Sequence, residues 1–571
     1  MKRNIIIATF ILLGMVPAVA QNFYDGLYFA NNEYYGTARS MGMGNAMTAV
    51  GGDLGSIGIN PAGSAVATFG QFTITPGVTI SSVSSAYSPS GESAYGQPGT
   101  TKSTRMTLPN FGFTMNFDTG NRKGIRSFTI GMVANRTNQF ENYASAFGTN
   151  SMSSKLAEYA NAAYGVDERV LEDFDSFDAS DVSWDVLTAY QGGMFGSFGA
   201  DGEYIAVTQG FSNDGSYYFV PGALSQASYV REYGSKTDFM LNLGFNISDK
   251  LFVGANLGMP FSNFVNSETF YETAVDPGQF PIEYNGGNTT YRTNFKSAST
   301  GYQFISNMDG IYAKIGLIYM VNSKLRLGAA VQTPTMYTVS ESWQYTASTS
   351  YTDRSFDDSQ ISPLGEYTYS MTSPYIVDLG LAYVFGQHGL VSVDYEMADY
   401  SVMRVSAWEG DYMSEDPFLD YNMTNKHFAG VSHSLRVGFE YRLNPMFSVR
   451  AGYNVTTNPE RYWINNEGET VTADDYFYDF DSYLSHMKHL NSYEYYQDRT
   501  ESVSFGVGYS SEGSFFADFA VKTVKFPPTT YSPYYDYDGY NAAGEWVSFE
   551  SPKIHNKREL LNAVLTLGWR F

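Results

Sequence analysis

From Phe239 to Ile247 the chain reads Phe-Met-Leu-Asn-Leu-Gly-Phe-Asn-Ile, with an apolar residue at every second position and Met, Asn, Gly and Asn between. A period of two is the signature of a β-strand with two unlike faces. Ser248-Asp249-Lys250 then turns the chain. The apolar series resumes at Leu251, Val253, Ala255, Leu257 and Met259, which makes a hairpin. The same unit recurs over 111–117 and 128–132, 315–319 and 325–331, 377–385 and 391–395, 435–441 and 447–453, and 503–509 and 515–521. Single strands near 72–80 and 561–571 bring the expected number to about fourteen.

The apolar face of these strands is Phe, Leu, Val, Tyr and Ile, while the other is Gly, Asn, Ser and Thr with occasional charge. A soluble sandwich would bury the apolar face and show water a charged one. Alternate connections also differ in length. One set is a few residues long; the other covers 85–103, 141–229, 269–298, 347–365, 408–427, 457–498 and 527–556. Short inner turns and long outer loops mark an outer-membrane barrel, and lipid forces closure because an open strand edge cannot be solvated there. Beyond residue 20 there is no apolar run of the roughly 18 residues that a spanning helix needs. The expected fold is therefore all-β: a transmembrane antiparallel β-barrel over 69–571, with long extracellular loops near 141–229, 457–498 and 527–556. Leu565, Leu567, Trp569 and Phe571 share one face of the last strand. A terminal aromatic in that setting is the expected signal to the barrel assembly machinery.

Lys2 and Arg3, the apolar stretch Ile5–Val16 and Ala18-Val19-Ala20 read as a cleavable signal peptide over 1–20, so the mature chain should begin at Gln21 and be exported. Localisation in the outer membrane of a Gram-negative bacterium follows, with outer-membrane lipid and lipopolysaccharide as neighbours. There is no Cys, which removes disulfides, thiolate metal sites and lipoprotein processing. The formal charge of −24 argues against nucleic acid as a partner.

Residues 21–68 do not alternate. They run Tyr35-Gly-Thr-Ala-Arg39 through Gly42 and Gly44 to Asn60-Pro61-Ala62, rich in small residues and poor in charge. This composition suits a hatch packed inside a lumen. Here the sequence resembles the FadL family of outer-membrane transporters for long-chain fatty acids and other hydrophobic compounds. Gly36-Thr-Ala-Arg39, Gly42, Gly44, Ala46 and Asn60-Pro61-Ala62 carry the resemblance, together with Leu325-Arg-Leu-Gly328 to Thr333-Pro334-Thr335 and the last strand. The resemblance implies an N-terminal hatch plugging the barrel and a kinked strand opening sideways into the membrane. Inward glycines such as Gly244, Gly254, Gly316, Gly328, Gly438 and Gly452 leave room for another backbone, or else ease the curvature of a tilted wall.

Lys314, Arg326, Arg436 and Arg450 fall on inward faces. They are candidates either for the headgroup of an amphipathic acid or for bracing the hatch against the wall. Asp378, Asp394, Glu396, Glu440 and Asp518 supply the opposite sign. His486-x-x-His489 lacks a third ligand, and Asp536-Tyr-Asp538-Gly539 lacks the later positions of a calcium loop, so neither a metal nor a cofactor is expected. Eight acidic residues in 167–185 interleave with apolar ones after a short helix expected at Ser153–Ala163, and Tyr-rich stretches mark the outer loops at 476–483, 493–496 and 531–540. No oriented Ser/His/Asp set stands on a strand rim, so an enzyme is not expected. Two functions fit these features. One is a passive channel, expected to be a monomer, for a hydrophobic small-molecule ligand such as a long-chain fatty acid. The other is a barrel of the same type that binds protein partners in secretion or surface attachment.

Overall fold

The computed structural model describes residues 23–571 apart from 199–201, 214, 216, 287–288, 409–417, 467 and 474–489. The signal segment, His486, His489 and the stretch 476–483 lie outside the described residues.

Fourteen antiparallel strands form the wall: β1 Gln71–Ser88, β2 Gly99–Asp118, β3 Ile125–Gln139, β4 Leu224–Ile247, β5 Leu251–Ala274, β6 Thr289–Met320, β7 Leu325–Gln332 continued by Met336–Tyr351, β8 Gly365–Thr372 continued by Ile376–Val384, β9 Gly389–Asp399 continued by Arg404–Ala407, β10 Val431–Arg442, β11 Phe447–Thr457, β12 Arg499–Ser510, β13 Phe515–Lys525 and β14 Lys553–Arg570. Each pairs with its neighbours in sequence. β1 also pairs with β14, from Gln71 against Arg570 to Ser88 against Lys553, which closes the barrel. The strand number and the closure match the reading of the alternation.

The short turns are tight. Ser248 and Asp249 both take positive φ, 58° and 56°, the backbone of a two-residue turn that follows the right-handed twist of its strands. Aromatic pairs flank these ends on the outer surface: Phe117 on Phe128 at 5.0 Å, Phe447 on Tyr509 at 5.3 Å and Phe515 on Trp569 at 5.4 Å. Such rings settle at the boundary of hydrocarbon and water. The C-terminal Phe571 is exposed beside them, and its amide donates to Gly70.

The strands run further than the alternation showed. β4 and β5 have 24 residues each and β6 has 32, against the 9–11 or so that cross a bilayer. Residues 224–229, 269–274 and 289–298, which sequence alone places in loops, are strand. Above the membrane the outward face meets water, so no apolar series is required and the periodic signal fades.

Prolines mark a level in the wall. Pro76, Pro109 and Pro260 sit in β1, β2 and β5, while Pro334 and Pro374 fill the breaks of β7 and β8. The register carries one row across the five strands β1 to β5: Thr75 faces Asn110, Asn110 faces Asn135, Asn135 faces Asp238, and Asp238 faces Pro260. Proline cannot donate to a ladder, so a row of them is where strands bend. Below this row the lumen is polar; above it the lumen is aromatic. A second core lies outside the barrel mouth. There the helices Lys155–Ala162 and Trp184–Gln191 bury Leu156, Leu171, Phe177 and Leu187 against Phe270, Phe295, Tyr534 and Phe549.

Candidate functional site

In the lower lumen the N-terminal segment lies on the barrel wall. Residues 35–67 are mostly fully buried. The wall admits them because the facing positions are glycine. A Cβ on Gly254 would strike the Pro61–Ala62 peptide, one on Gly316 would strike Asn60, one on Gly328 Thr48, one on Gly438 Met43 and one on Gly452 Gly44. Gly244, Gly254 and Gly316 are register partners on β4, β5 and β6, as are Gly438 and Gly452 on β10 and β11. These glycines make room for a second backbone. Gly112, Gly131 and Gly568 instead face neighbouring wall residues.

Hydrogen bonds fix the contact. Asn60 Nδ2 donates to Thr48 O at 2.7 Å and to Leu317 O at 3.0 Å, while its Oδ1 accepts from the Ala62 amide at 3.1 Å. Asn60 thus binds the segment to itself and to β6, and it holds the turn that Pro61 stiffens. Asn242 donates to Pro61 O and Asn256 to Ile57 O. The Thr48 amide donates to Asp394 at 2.6 Å, the Ala38 amide to Thr566 at 2.7 Å, and the Gly44 amide to Ser504 at 3.1 Å. Gly42 packs against Gly506, where an added Cβ would lie 3.3 Å from the partner Cα.

The four inward cations singled out from sequence all sit here and all have partners. Lys314 pairs with Asp378 at 2.9 Å and donates to Gly58 O. Arg326 donates to Val50 O at 3.2 Å. Arg436 pairs with Glu396 and lies over the Tyr34 ring. Arg450 pairs with Glu440 at 2.7 Å and with Asp518 at 2.6 Å, and Arg39 from the segment itself meets the same Glu440 at 2.8 Å. A fifth cation, Lys522, reaches Glu33 at 3.1 Å. Each of these cations has a wall carboxylate or the segment as a partner.

Above the proline row the inward faces change. Phe140, Phe264, Phe304, Met308, Val339, Trp343, Tyr369 and Met371 form a buried apolar chamber. Helix α1, Phe23–Ala30, enters it from the segment. Phe29 packs edge-on against Phe264 at 5.2 Å and Phe140 at 6.2 Å. Lys236, fully buried on β4, donates to Phe29 O at 3.0 Å and Asn31 O at 2.7 Å, and so binds the C-terminal end of α1. Sequence reading placed residues 21–68 in one irregular segment; the described part begins with this helix. Outward of the chamber, under the cap, is a cavity of about 200 Å³ walled by Tyr159, Phe270, Tyr302, Tyr345 and Tyr531, with Lys155, Asp185 and Glu268 at its edge.

The wall is interrupted beside the chamber. β2 and β3 are paired only from Asn110–Asn135 down to Asp118–Ser127. Above that level β2 keeps its ladder with β1 as far as Gly99, and β3 leans inward. The carbonyls of Arg136 and Thr137 accept from the amides of Tyr35 at 2.9 Å and Glu33 at 2.7 Å, so β3 bonds to the segment where it has left β2. Its register with β4 slips between Arg136 and Asn138. The chain resumes beside β4 at Asn142–Asn150, and Thr101 and Ser145 rejoin side chain to side chain at 2.7 Å. Among the described residues no backbone ladder links 101–109 to 136–144. Met106 and Leu108 border this gap on the bilayer side, and Met106 is 87% exposed. The sequence does carry a mark of it. Apolar outward residues sit at even positions through Met106 and Leu108 and at odd positions from Phe111, so the parity changes at Pro109.

No protein-family model and no curated protein matches this chain. Among solved structures it is similar to the Ralstonia pickettii toluene transporter TbuX (15% identity, TM-score 0.43, covering 94% of this chain and 98% of that one). It is similar to the P. putida toluene transporter TodX (12%, 0.44, 94% and 98%) and to a Pseudomonas aeruginosa FadL homologue (11%, 0.43, 94% and 98%). The barrel described above rests on the strand pairing of this chain.

Proposed function

We propose that this chain is an outer-membrane channel for the passive passage of hydrophobic small molecules, long-chain fatty acids among the candidates. The observation that carries this reading is an apolar aromatic chamber floored by a polar, glycine-seated segment and flanked by a break in the wall. A hydrophobic solute gains roughly 25 cal/mol per Å² on leaving water for such a chamber. The floor acts as a hatch in this reading, and its ion pairs and backbone bonds keep it shut to water and ions. The gap between β2 and β3 lies at chamber height and gives the solute a route sideways into the bilayer, where its free energy is low. No ATP, ion gradient or resident cofactor enters the scheme.

The test is uptake of radiolabelled hexadecanoate and of toluene by cells that express the barrel, against cells with the empty vector. Phe304→Asp places a charge in the chamber without altering a backbone bond. It should cut uptake of the transported probe at least tenfold while the heat-modifiable folded band persists. Equal uptake by expressing and empty cells would remove the proposal.

A further inference from the structure

Four arginines outside the sequence-predicted set, Arg105, Arg136, Arg231 and Arg558, stand at the side gap. Glu141, almost fully buried, meets Arg105 at 2.6 Å across the break between the two strands. Arg558, Arg231 and Arg136 are within electrostatic reach of the same carboxylate. Arg105 and Arg231 lie over the Tyr233 ring at 4.9 and 5.2 Å. Arg136 donates to Gln139 Oε1 and Arg558 to Gln139 O and Tyr28 OH, each at 3.3 Å. The carboxylates in reach are Glu141, Glu232, the latter bonded by Asn142 at 3.2 Å, and Glu268, which acts on Glu232; Glu33 is taken by Lys522. The four guanidinium groups outnumber these carboxylates and leave a net positive charge, in a chain whose overall charge is −24.

The donors tell the same story. Arg136 Nε, Arg558 Nε and Gln139 Nε2 are buried and lack an acceptor in the protein. A buried donor without an acceptor is destabilising, and an unpaired buried charge is more so. Three orphan donors and a surplus of positive charge call for an acceptor-rich anion. Arg105 stands about 13 residues above the turn-side end of β2 at Asp118, roughly 30 Å along the membrane normal for a strand tilted near 45°. That is the outer-leaflet boundary, where a headgroup rests while its chain points into hydrocarbon.

We infer that the side gap carries an anionic-headgroup site, formed by Arg105, Arg136, Arg231 and Arg558, for an amphiphile whose carboxylate or phosphate sits in the gap and whose apolar chain lies along Met106 and Leu108. The guanidinium forks give such an oxyanion charge-assisted, bidentate bonds. The site builds on the sideways route proposed above, and it makes that opening charge-selective. Two sources share the chemistry, a carboxylate-bearing solute and a phosphorylated outer-leaflet lipid.

The test uses the full mature barrel in neutral detergent. Dodecanoate should bind at least tenfold tighter than dodecanol by calorimetry, and the difference should shrink as salt rises. Arg105→Gln with Arg136→Gln should lower dodecanoate binding to the dodecanol level and leave dodecanol unchanged. In the second arm, native mass spectrometry should find bis-phosphorylated lipid A retained by the wild-type barrel and lost from the double variant if the lipid is the occupant. Either arm supports the site and names its source. Equal binding of acid and alcohol by wild type, together with equal lipid A retention by both proteins, overturns it. The wild-type comparison of acid with alcohol stands even if the double variant does not fold. Uptake is read in neither arm, so a barrel that binds anions here yet carries no probe across cells loses the channel proposal and keeps the site.

Discussion

The two halves of the lumen are built from the same strands yet solve opposite problems. On β6, Lys314 and Gly316 face inward below the proline row, while Phe304 and Met308 do so above it. The lower half must hold a second backbone, so it offers glycine, asparagine and paired charge. The upper half holds α1 among aromatic rings and has few polar groups to satisfy. Below, specificity comes from hydrogen bonds of fixed geometry. Above, it comes from shape and apolar area, which another apolar molecule could also supply. Under the proposed function, the difference separates the part that stays in place from the part that exchanges its contents.

The largest test of that separation is removal of residues 22–58. The wall keeps its closing ladder between β1 and β14, so the barrel should insert, and in planar bilayers a nearly silent protein should become a persistent pore with conductance up at least tenfold. Wild-type conductance in a normally inserted deletion would make the lower half dispensable for closure and reverse the comparison. Next comes Glu440→Ala. It strands Arg39, bonded to that carboxylate at 2.8 Å, and leaves Arg450, bonded to it at 2.7 Å, with Asp518 alone. Loss of one partner from a buried pair costs about 3–5 kcal/mol, and the effect should appear as spontaneous opening events that an alanine at chamber residue Val339 does not produce.

Asn60→Ala removes the bonds to Thr48 O and Leu317 O. About 1–3 kcal/mol should be lost, as faster amide exchange in residues 44–64 with exchange in β5 and β6 unchanged; matching losses in the strands would show that segment and wall are one cooperative unit. The smallest effect concerns the cap. Glu158, buried at 8% exposure beside Asp185, has its carboxyl pushed up to about 8 by burial first and by that neighbour second, against the pull of Lys155. A carboxyl with a raised pKa binds its proton more tightly in the folded cap. Its contribution is fully present below the ordinary value near 4.5 and is lost as pH rises through about 8. The protection of amides in 155–162, taken relative to their intrinsic exchange at each pH, should therefore fall at least tenfold between pH 5 and pH 8, and Glu158→Gln should flatten that dependence. A flat wild-type profile would put water at the carboxylate.

The legibility of the chain follows this division. The wall was readable because lipid outside and a polar, glycine-rich lumen inside impose strict alternation, as at Phe239–Ile247. The chamber was not, because strands with rings on both faces, or with water outside, lose the period of two; Phe264 and Trp343 gave no inward signal. Lys314, Arg326, Arg436 and Arg450 were visible as inward charges within clear strands, although local spacing could not show which atoms they meet. Arg105, Arg136, Arg231 and Arg558 come from four distant stretches, three of them beside segments that read as loops. Their meeting depends on β3 leaving β2. The parity change at Pro109 was the one local trace of that departure.

The seat of residues 35–67 also constrains the order in which the protein can be made. Their contacts reach glycines on strands from β4 to β12, and the long ladder of the first strand with the last is the seam that makes the sheet a ring. A ring that has already closed would have to admit the folded segment through its mouth, under a cap with its own core. Placement before closure needs no such passage. The segment then serves as a mandrel around which the sheet curls, and its glycine contacts help set the diameter at which the two edge strands meet. Biogenesis should accordingly slow when the segment is altered at Gly42 or Gly44, even where the finished barrel tolerates the change, and pulse-chase folding of such variants would reveal a delay in seam closure that equilibrium stability does not report.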